Sequence, residues 1–148
     1  TAMIRIKAVD AQNLLDVCQL KTSQNHLCRG RSCCNAVSIA EAKYCPELHP
    51  NAIYHNNTLI GFFMYQRPEN HADTAAIRRF MIDSRFQQKG LAEKALEHIL
   101  RGLKIQGVRK VDVVIGIADE EAKQLYLSFG FSVTEKTGQD EYCCTLEF

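Results

Sequence analysis

The chain has 148 residues, of which 46% are hydrophobic and 24% are charged. This length and composition are typical of one globular domain, expected here over residues 1–148, and they exclude an extensively disordered chain. Lys and Arg total 18 against 17 Asp and Glu, so the net charge of +1 gives no electrostatic basis for nonspecific nucleic-acid binding. No apolar run approaches the roughly 18–20 residues of a membrane helix, and no membrane partner is expected.

Seven cysteines occur in a sequence whose start lacks an apolar signal-peptide core. This combination predicts a cytoplasmic protein with reduced thiols. Cys28, Cys33 and Cys34 lie close together, but neither they nor Cys143-Cys144 have the paired spacing that is typical of a zinc site. We therefore expect no metal.

The first predicted elements are a strand and a helix. Apolar and polar residues alternate over Ile4–Val9, which predicts a strand. Asp10 is placed to cap a helix that runs to about Leu20. Residues 22–36 are polar and rich in cysteine, and they favour a loop or a broken helix.

A capping box is predicted next. In Ser38-Ile39-Ala40-Glu41, Ser38 is expected as the N-cap and Glu41 as the residue that reaches back to it. A short helix should follow and end before Pro46. This structural role of Glu41 competes with a role in substrate binding.

An antiparallel meander is predicted for the middle of the chain. Its strands are expected at Ala52–His55, Thr58–Tyr65 and Ala75–Ile82. Asn56-Asn57 suits the first turn because Asn tolerates positive φ, and Pro68–Asp73 supplies the second.

The second half alternates helices and strands. Leu91, Ala95 and Ile99 recur every four residues and predict a helix over Gly90–Lys104. Further elements are a buried strand at Val111–Ile117, a helix at Asp119–Phe129, and strands at Phe131–Glu135 and Glu141–Phe148. The order βα(α)βββαβαββ predicts an α+β fold with one mixed sheet.

The segment from Phe80 to Ala92 carries the clearest chemical signal. A strand ends, a short loop follows, and a helix begins at Gly90-x-Ala92. A helix start offers unpaired N–H groups and the positive end of the dipole, which suits phosphate, and Arg85 and Lys89 add charge. The sequence is neither a P-loop nor a dinucleotide fingerprint, and a tight strand-to-helix turn is the alternative interpretation.

A second signal lies near the end of the helix at 119–129. Tyr126 is followed by Gly130-Phe131. Its ring suits the core, and its phenol is also able to donate a proton to a leaving group.

Both segments resemble the GNAT N-acetyltransferase superfamily. Gln87-x-x-Gly90-x-Ala92 matches its Gln/Arg-x-x-Gly-x-Gly/Ala acetyl-CoA motif, and Tyr126-x-x-x-Gly130-Phe131 matches the end of its second motif, Asn-x-x-Ala-x-x-x-Tyr-x-x-x-Gly-Phe. The motifs occur in the family's order. Within the family, several segments are similar to bacterial spermine/spermidine N-acetyltransferases: 38–43, 52–54, 61–65 and 79–83.

The resemblance implies a GNAT fold, with flanking helices and a mostly antiparallel mixed sheet whose central strands, ending at Ile82 and Ile117, splay apart to admit acetyl-CoA. It implies that Tyr126 protonates the departing thiolate. It also implies that backbone groups of Phe80, Met81 and Ile82 pair with the pantetheine arm, and that backbone N–H groups of Gln87, Gln88, Lys89, Gly90, Leu91 and Ala92 cradle the pyrophosphate.

Asp119 stands where the second motif usually has Asn. It keeps the capacity to accept hydrogen bonds near the cofactor, but its charge is unfavourable beside phosphate. Asp119 is therefore a further cofactor-binding candidate.

The function implied is transfer of the acetyl group of acetyl-CoA to a primary amine of a polyamine, by direct attack in a ternary complex. Glu41 and Asp83 are the candidate carboxylates for this small-molecule cation. The alternatives are another acceptor, such as a protein N-terminus, an aminoglycoside or an amino acid, and a non-catalytic CoA-binding module. Pairing through Glu141–Phe148 is one route to a homodimer.

Overall fold

The computed structural model describes residues 3–21, 34–136, 138 and 140–148, and positions 88 and 89 by their backbone alone. The helices are α1 (Leu14–Cys18), α2 (Asn35–Tyr44), α3 (Leu91–Ile105) and α4 (Glu120–Ser128). The strands are β1 (Ile4–Ala8), β2 (Leu48–His55), β3 (Thr58–Gln66), β4 (Thr74–Ile82), β5 (Lys110–Gly116), β6 (Ser132–Lys136) and β7 (Glu141–Glu147). Short 3₁₀ helices occupy Glu69–His71 and Ser84–Lys89.

The described strands form one seven-stranded sheet with the order β1-β2-β3-β4-β5-β7-β6. The β4–β5 pair is parallel, and every other neighbouring pair is antiparallel. The α+β fold with a mixed, mostly antiparallel sheet is therefore confirmed. The turn between β2 and β3 is also where the sequence predicts it, since Asn56 and Asn57 have φ of 54° and 86°.

The sheet buries apolar side chains on both faces. Phe63 and Phe62 are neighbours on β3, and because side chains alternate they belong to different clusters. The Phe63 cluster holds the apolar face of α3, including Leu96, together with Tyr126 of α4. The Phe62 cluster holds Val17 of α1 and is covered in part by α2. Helices α3 and α4 thus pack on one face of the sheet, and α1 and α2 pack on the other.

A β-bulge divides β4 into two parts. Tyr65 of β3 pairs with Ile77, but the preceding Met64 pairs with Arg79, so Arg78 is an extra residue on β4. Ile77 and Phe80 consequently share the α3 face although they are three residues apart.

The bulge lies where β4 leaves β5. The described ladder between these strands ends at Ile77 and Val113. Residues 78–82 of β4 therefore have a strand neighbour on the β3 side only. This is the divergence of central strands expected from the GNAT resemblance, and the first strand involved ends at Ile82 as predicted.

Two predictions about the early helices are wrong. The side chain of Asp10 does accept hydrogen bonds from the N–H groups of Gln12 and Asn13, but these residues form a turn, and the regular helix covers only Leu14–Cys18 instead of reaching Leu20. The capping box is absent from α2, because this helix begins three residues before Ser38, with Cys34 as its N-cap. Ser38 is instead an interior residue that is only 1% exposed.

The suggested route to a dimer through Glu141–Phe148 is also wrong. This segment forms β7, which pairs with β5 on one side and with β6 on the other. Its backbone edges are used within the chain, and the strands at the edges of the described sheet are β1 and β6.

Gly61 of β3 tests the close packing beside the end of β4. A Cβ at position 61 would collide with the carbonyl oxygen of Met81, so we expect Gly61→Ala to lower the free energy of unfolding by about 1–3 kcal/mol. Gly102→Ala in α3 is the matched control, since a Cβ there meets nothing within 4 Å. It should raise that free energy by about 0.5–1 kcal/mol. Equal effects in denaturant titrations would contradict this account of the packing.

Candidate active site

The carboxyl ends of β4 and β5 form the edge at which the predicted site residues gather. Because these two strands are parallel, both end at the same edge of the sheet. The 3₁₀ helix and α3 follow β4, and α4 follows β5, so the N-termini of α3 and α4 lie at that edge. Open α/β sheets bind ligands at such an edge.

The N-terminus of α3 presents backbone N–H groups. Gly90 adopts the left-handed conformation, with φ 67°, at the junction of the 3₁₀ helix and α3. The first helical hydrogen bond runs from Lys94 N to the carbonyl of Gly90, so the N–H groups of residues 91–93 precede the ladder. Among the described side chains, none caps this end. A Cβ at position 90 would have the carboxylate of Glu93, at 3.8 Å, as its nearest neighbour, and the approach to this backbone is open.

Asp83 shapes the loop between β4 and α3. It is 4% exposed. Its Oδ1 accepts from the backbone N and the Nε of Arg85, at 3.0 and 2.8 Å, and its Oδ2 accepts from Lys21 N at 3.0 Å. Burial raises the pKa of the Asp83 carboxyl, but the hydrogen bonds from Arg85 and Lys21 outweigh it and lower the pKa overall. The carboxylate is therefore engaged within the protein.

The polar side chains that the sequence places near the phosphate mostly stabilise the loop itself. Gln87 donates from Nε2 to the carbonyl of Ile82 at 2.9 Å, and Arg85 is held by Asp83. The side chains of Gln88 and Lys89 lie outside the described atoms. The described groups that this segment offers to an anion are thus those of its backbone, at Gly90, Leu91 and Ala92.

Tyr126 belongs to α4, and its side chain lies in the core. It is 5% exposed, and its ring packs edge-on against Phe131, with the centroids 5.2 Å apart. Its hydroxyl makes no hydrogen bond to the described part of the chain. Burial, and then the negative charge of Asp119, raise the pKa of the Tyr126 phenol. The phenol therefore stays protonated at neutral and mildly alkaline pH.

The Gly-Phe that follows Tyr126 is a helix C-terminus. Gly130 has φ 98°, a conformation that residues other than glycine rarely adopt. It turns the chain so that Phe131 N donates to the carbonyl of Tyr126 at 3.2 Å, and Phe131 then packs on the same tyrosine. This part of the motif fixes the position of the Tyr126 ring.

Asp119 is the N-cap of α4. Its carboxylate accepts from Ala122 N at 3.0 Å, and its side chain is exposed. The residue that departs from the family's usual Asn thus has a local structural role. Its place at the edge that holds the N-terminus of α3 keeps it a cofactor-binding candidate.

Glu41 lines a cavity on the α2 face of the sheet, which is opposite the face that packs against α3. The cavity has a volume of about 290 Å³ and lies between α2 and strands β2, β3 and β4. Its lining residues are Ser38, Glu41, Leu48, Met64, Gln66, Arg78 and Arg79. Without the capping box, Glu41 loses the structural role that the sequence suggested for it.

Sequence reasoning missed the two arginines of this cavity. Arg78 and Arg79 stand next to each other in a strand, where adjacent residues normally point to opposite faces. Only the bulge brings both into one cavity, and a bulge has no sequence signature here. Arg78 donates through its guanidinium to Oε1 of Gln66.

In the described ranges, no group of three or more His, Cys, Asp or Glu side chains is placed to hold a metal ion, and Cys28 and Cys33 lie outside those ranges. Among the described helices, none has the length and apolar character needed to cross a bilayer.

Comparison with known proteins identifies the family. A profile of the Acetyltransferase (GNAT) family matches residues 18–131. The chain belongs to this family. It is 34% identical over 134 residues to the spermine/spermidine N(1)-acetyltransferase of Bacillus subtilis (strain 168), which covers 86% of this chain and 87% of that protein. It is an acetyl-CoA-dependent N-acetyltransferase.

Solved GNAT structures share the fold. An acetyltransferase from Thermus thermophilus superposes with a TM-score of 0.80, at 19% identity over 99% of this chain and 97% of that one. The PaiA N-acetyltransferase from Thermoplasma acidophilum, solved in complex with coenzyme A, gives 0.72 at 14% identity, with 99% of both chains covered.

The described site fits acetyl-CoA in two respects. The backbone of residues 78–82 lacks a strand neighbour on the β5 side, which leaves polar groups for an extended amide-containing arm. The N-terminus of α3 offers N–H groups without a side-chain cap, which suits a diphosphate. Acetyl-CoA supplies the activated acyl group when it is bound.

Substitution of Gly90 tests the placement of the diphosphate. Gly90→Glu adds volume, backbone strain and a negative charge, and we expect it to raise the Kd for CoA at least about tenfold in calorimetry. Gly90→Gln has the same shape without the charge, so the difference between the two variants reports the charge alone. Gly107→Glu shares the positive φ of 97° but lies at the other end of α3, and it should leave the Kd unchanged. Undiminished binding by Gly90→Glu would contradict the placement.

Proposed function

We propose that this GNAT enzyme acetylates a primary amine of a polyamine by direct attack in a ternary complex. The observation that carries the proposal is the 34% sequence identity between this chain and the B. subtilis spermine/spermidine acetyltransferase, over most of both chains. Direct attack requires no enzyme nucleophile, and none of the cysteines stands within the two motifs.

The cofactor and the acceptor are proposed to approach from opposite faces of the sheet. The α3 N-terminus and Tyr126 belong to the α3 side, where acetyl-CoA is proposed to bind along Phe80–Ile82. The cavity opens on the α2 side, at Arg78 and Arg79 of the same strand. An amine in the cavity therefore meets the thioester at the gap between β4 and β5, where attack requires an approach of about 3–3.5 Å.

Glu41 is the proposed partner of the cationic acceptor. It is the carboxylate among the residues that line the cavity, and it lies one helical turn after Ser38. Asp83, by contrast, is not among the residues that line the cavity. The proposal therefore assigns amine binding to Glu41 rather than to Asp83.

A second candidate acceptor is an amine that also carries a carboxylate, such as an amino acid or a peptide. The observation that favours it is the presence of Arg78 and Arg79 beside the single Glu41 in the cavity. Two guanidiniums repel a polycation and bind a carboxylate well. Arg78 should therefore weaken the binding of a polyamine and strengthen the binding of an acceptor that carries a carboxylate.

An amine panel with a matched variant separates the two acceptors. The wild type should turn over spermidine and spermine with acetyl-CoA, and Arg78→Gln should lower their KM about threefold to tenfold because one repulsive charge is removed. If the acceptor carries a carboxylate, Arg78→Gln should raise KM instead, and the amide of the same acceptor should react poorly with the wild type. Failure with every polyamine alongside turnover of an amino acid or peptide would reject the polyamine proposal.

Tyr126 is the proposed proton donor to the departing thiolate. We expect Tyr126→Phe to lower kcat about 10–10⁴-fold. Stability should change by about 1 kcal/mol or less, since the hydroxyl has no hydrogen-bond partner among the described residues. Unchanged turnover would leave Tyr126 as a core residue only.

The raised pKa of Tyr126 predicts the shape of the pH profile. Attack requires a neutral amine, whose pKa is about 10.4 in water, so kcat/KM should rise with pH from 7 to about 9.5. Because Tyr126 remains protonated over this range, it should cause no fall there. A fall in kcat/KM below pH 9 that disappears in Tyr126→Phe would contradict the raised pKa of Tyr126.

A further inference from the structure

We propose that Arg79 is a positioning residue that fixes helix α2, and with it the acceptor cavity, to the strand that borders the cofactor cleft. Arg79 donates from Nη1 to Ser38 Oγ at 2.9 Å and from Nη2 to Asn35 Oδ1 at 2.8 Å. Both acceptors lie on α2 one turn apart, so one rigid guanidinium sets the distance and the rotation of the helix.

The surroundings of Arg79 are built for this contact. Asn35 and Ser38 are 5% and 1% exposed, so they are well shielded from competing water. The guanidinium carbon lies 5.5 Å from the ring centroid of the fully buried Phe62, on the adjacent strand β3. Arg79 points toward α2 because the extra residue at Arg78 resets the alternation of β4.

The same network reaches α1. Asn35 donates from Nδ2 to the carbonyl of Val17 at 2.9 Å. Near the end of β4, Lys21 N donates to Asp83, and Ser84 N donates to the carbonyl of Lys21. The described residues on both sides of positions 22–33 are therefore tied to β4 or to the loop that follows it.

The consequence for catalysis is geometric. Ser38 and Arg79 line the cavity themselves, and Glu41 follows Ser38 by one turn of α2. A rotation of α2 would displace Glu41 from the bulge while leaving the α3 N-terminus in place. Arg79 should thus affect acceptor binding and leave the cofactor site unchanged.

Kinetics test this role. Arg79→Lys keeps the charge but cannot reproduce the two fixed N–H directions, and we expect the acceptor KM to rise about tenfold while the KM for acetyl-CoA stays within about twofold. Ser38→Ala removes one of the two acceptors and should give a smaller rise in the same direction. Arg101→Lys, at an exposed ion pair with Glu97 on α3, is the matched control and should change neither constant.

Hydrogen exchange provides a readout that does not depend on turnover. Amides of residues 35–44 should exchange faster in Arg79→Lys than in the wild type, and those of α3 should be unchanged. Unchanged exchange in α2, an unchanged acceptor KM, or equal rises in both KM values would overturn the proposal. The inference rests on the proposed assignment of the cavity to the acceptor, but any amine that the wild type acetylates serves for the assay. A failure of the polyamine proposal is therefore distinguishable from a failure here.

Discussion

The divergence of β4 from β5 is the constraint on which the site depends. A parallel pair normally satisfies its backbone groups along its whole length, and here the described ladder ends at Ile77 and Val113. The bulge at Arg78 accompanies this break, since an extra residue bends the strand and interrupts its register. The unpaired edge that results offers a ligand the backbone hydrogen bonds that β5 would otherwise make.

The bulge also organises the side chains around the gap. It keeps Phe80 on the α3 face, directs Arg79 toward α2, and leaves Arg78 in the cavity proposed for the acceptor. The sides proposed for the cofactor and for the acceptor are thus set by consecutive residues of one strand.

The loops that follow the central strands β4 and β5 each contain an aspartate with a structural role. Asp83 and Asp119 each follow one of these strands, and each uses its carboxylate to hold backbone N–H groups. Their charges lie at the edge proposed to bind a diphosphate, where they would be unfavourable without the opposing helix N-termini. The bonds of Asp83 fix the loop that leads to α3, so the α3 N–H groups are in place before the proposed diphosphate binds, which limits the ordering that binding must impose.

The order of the elements, the Asn56-Asn57 turn and the amphipathic α3 could be predicted from the sequence, because each follows from local backbone preference or from residue spacing. The family motifs also single out Gly90 and Gly130, and both adopt the left-handed conformation that favours glycine. The role of Ser38 could not be predicted, because its buried hydroxyl is satisfied by an arginine 41 positions away. The bulge, the cavity and the partners of Asp83 likewise depend on contacts between distant segments, and only the tertiary structure decided them.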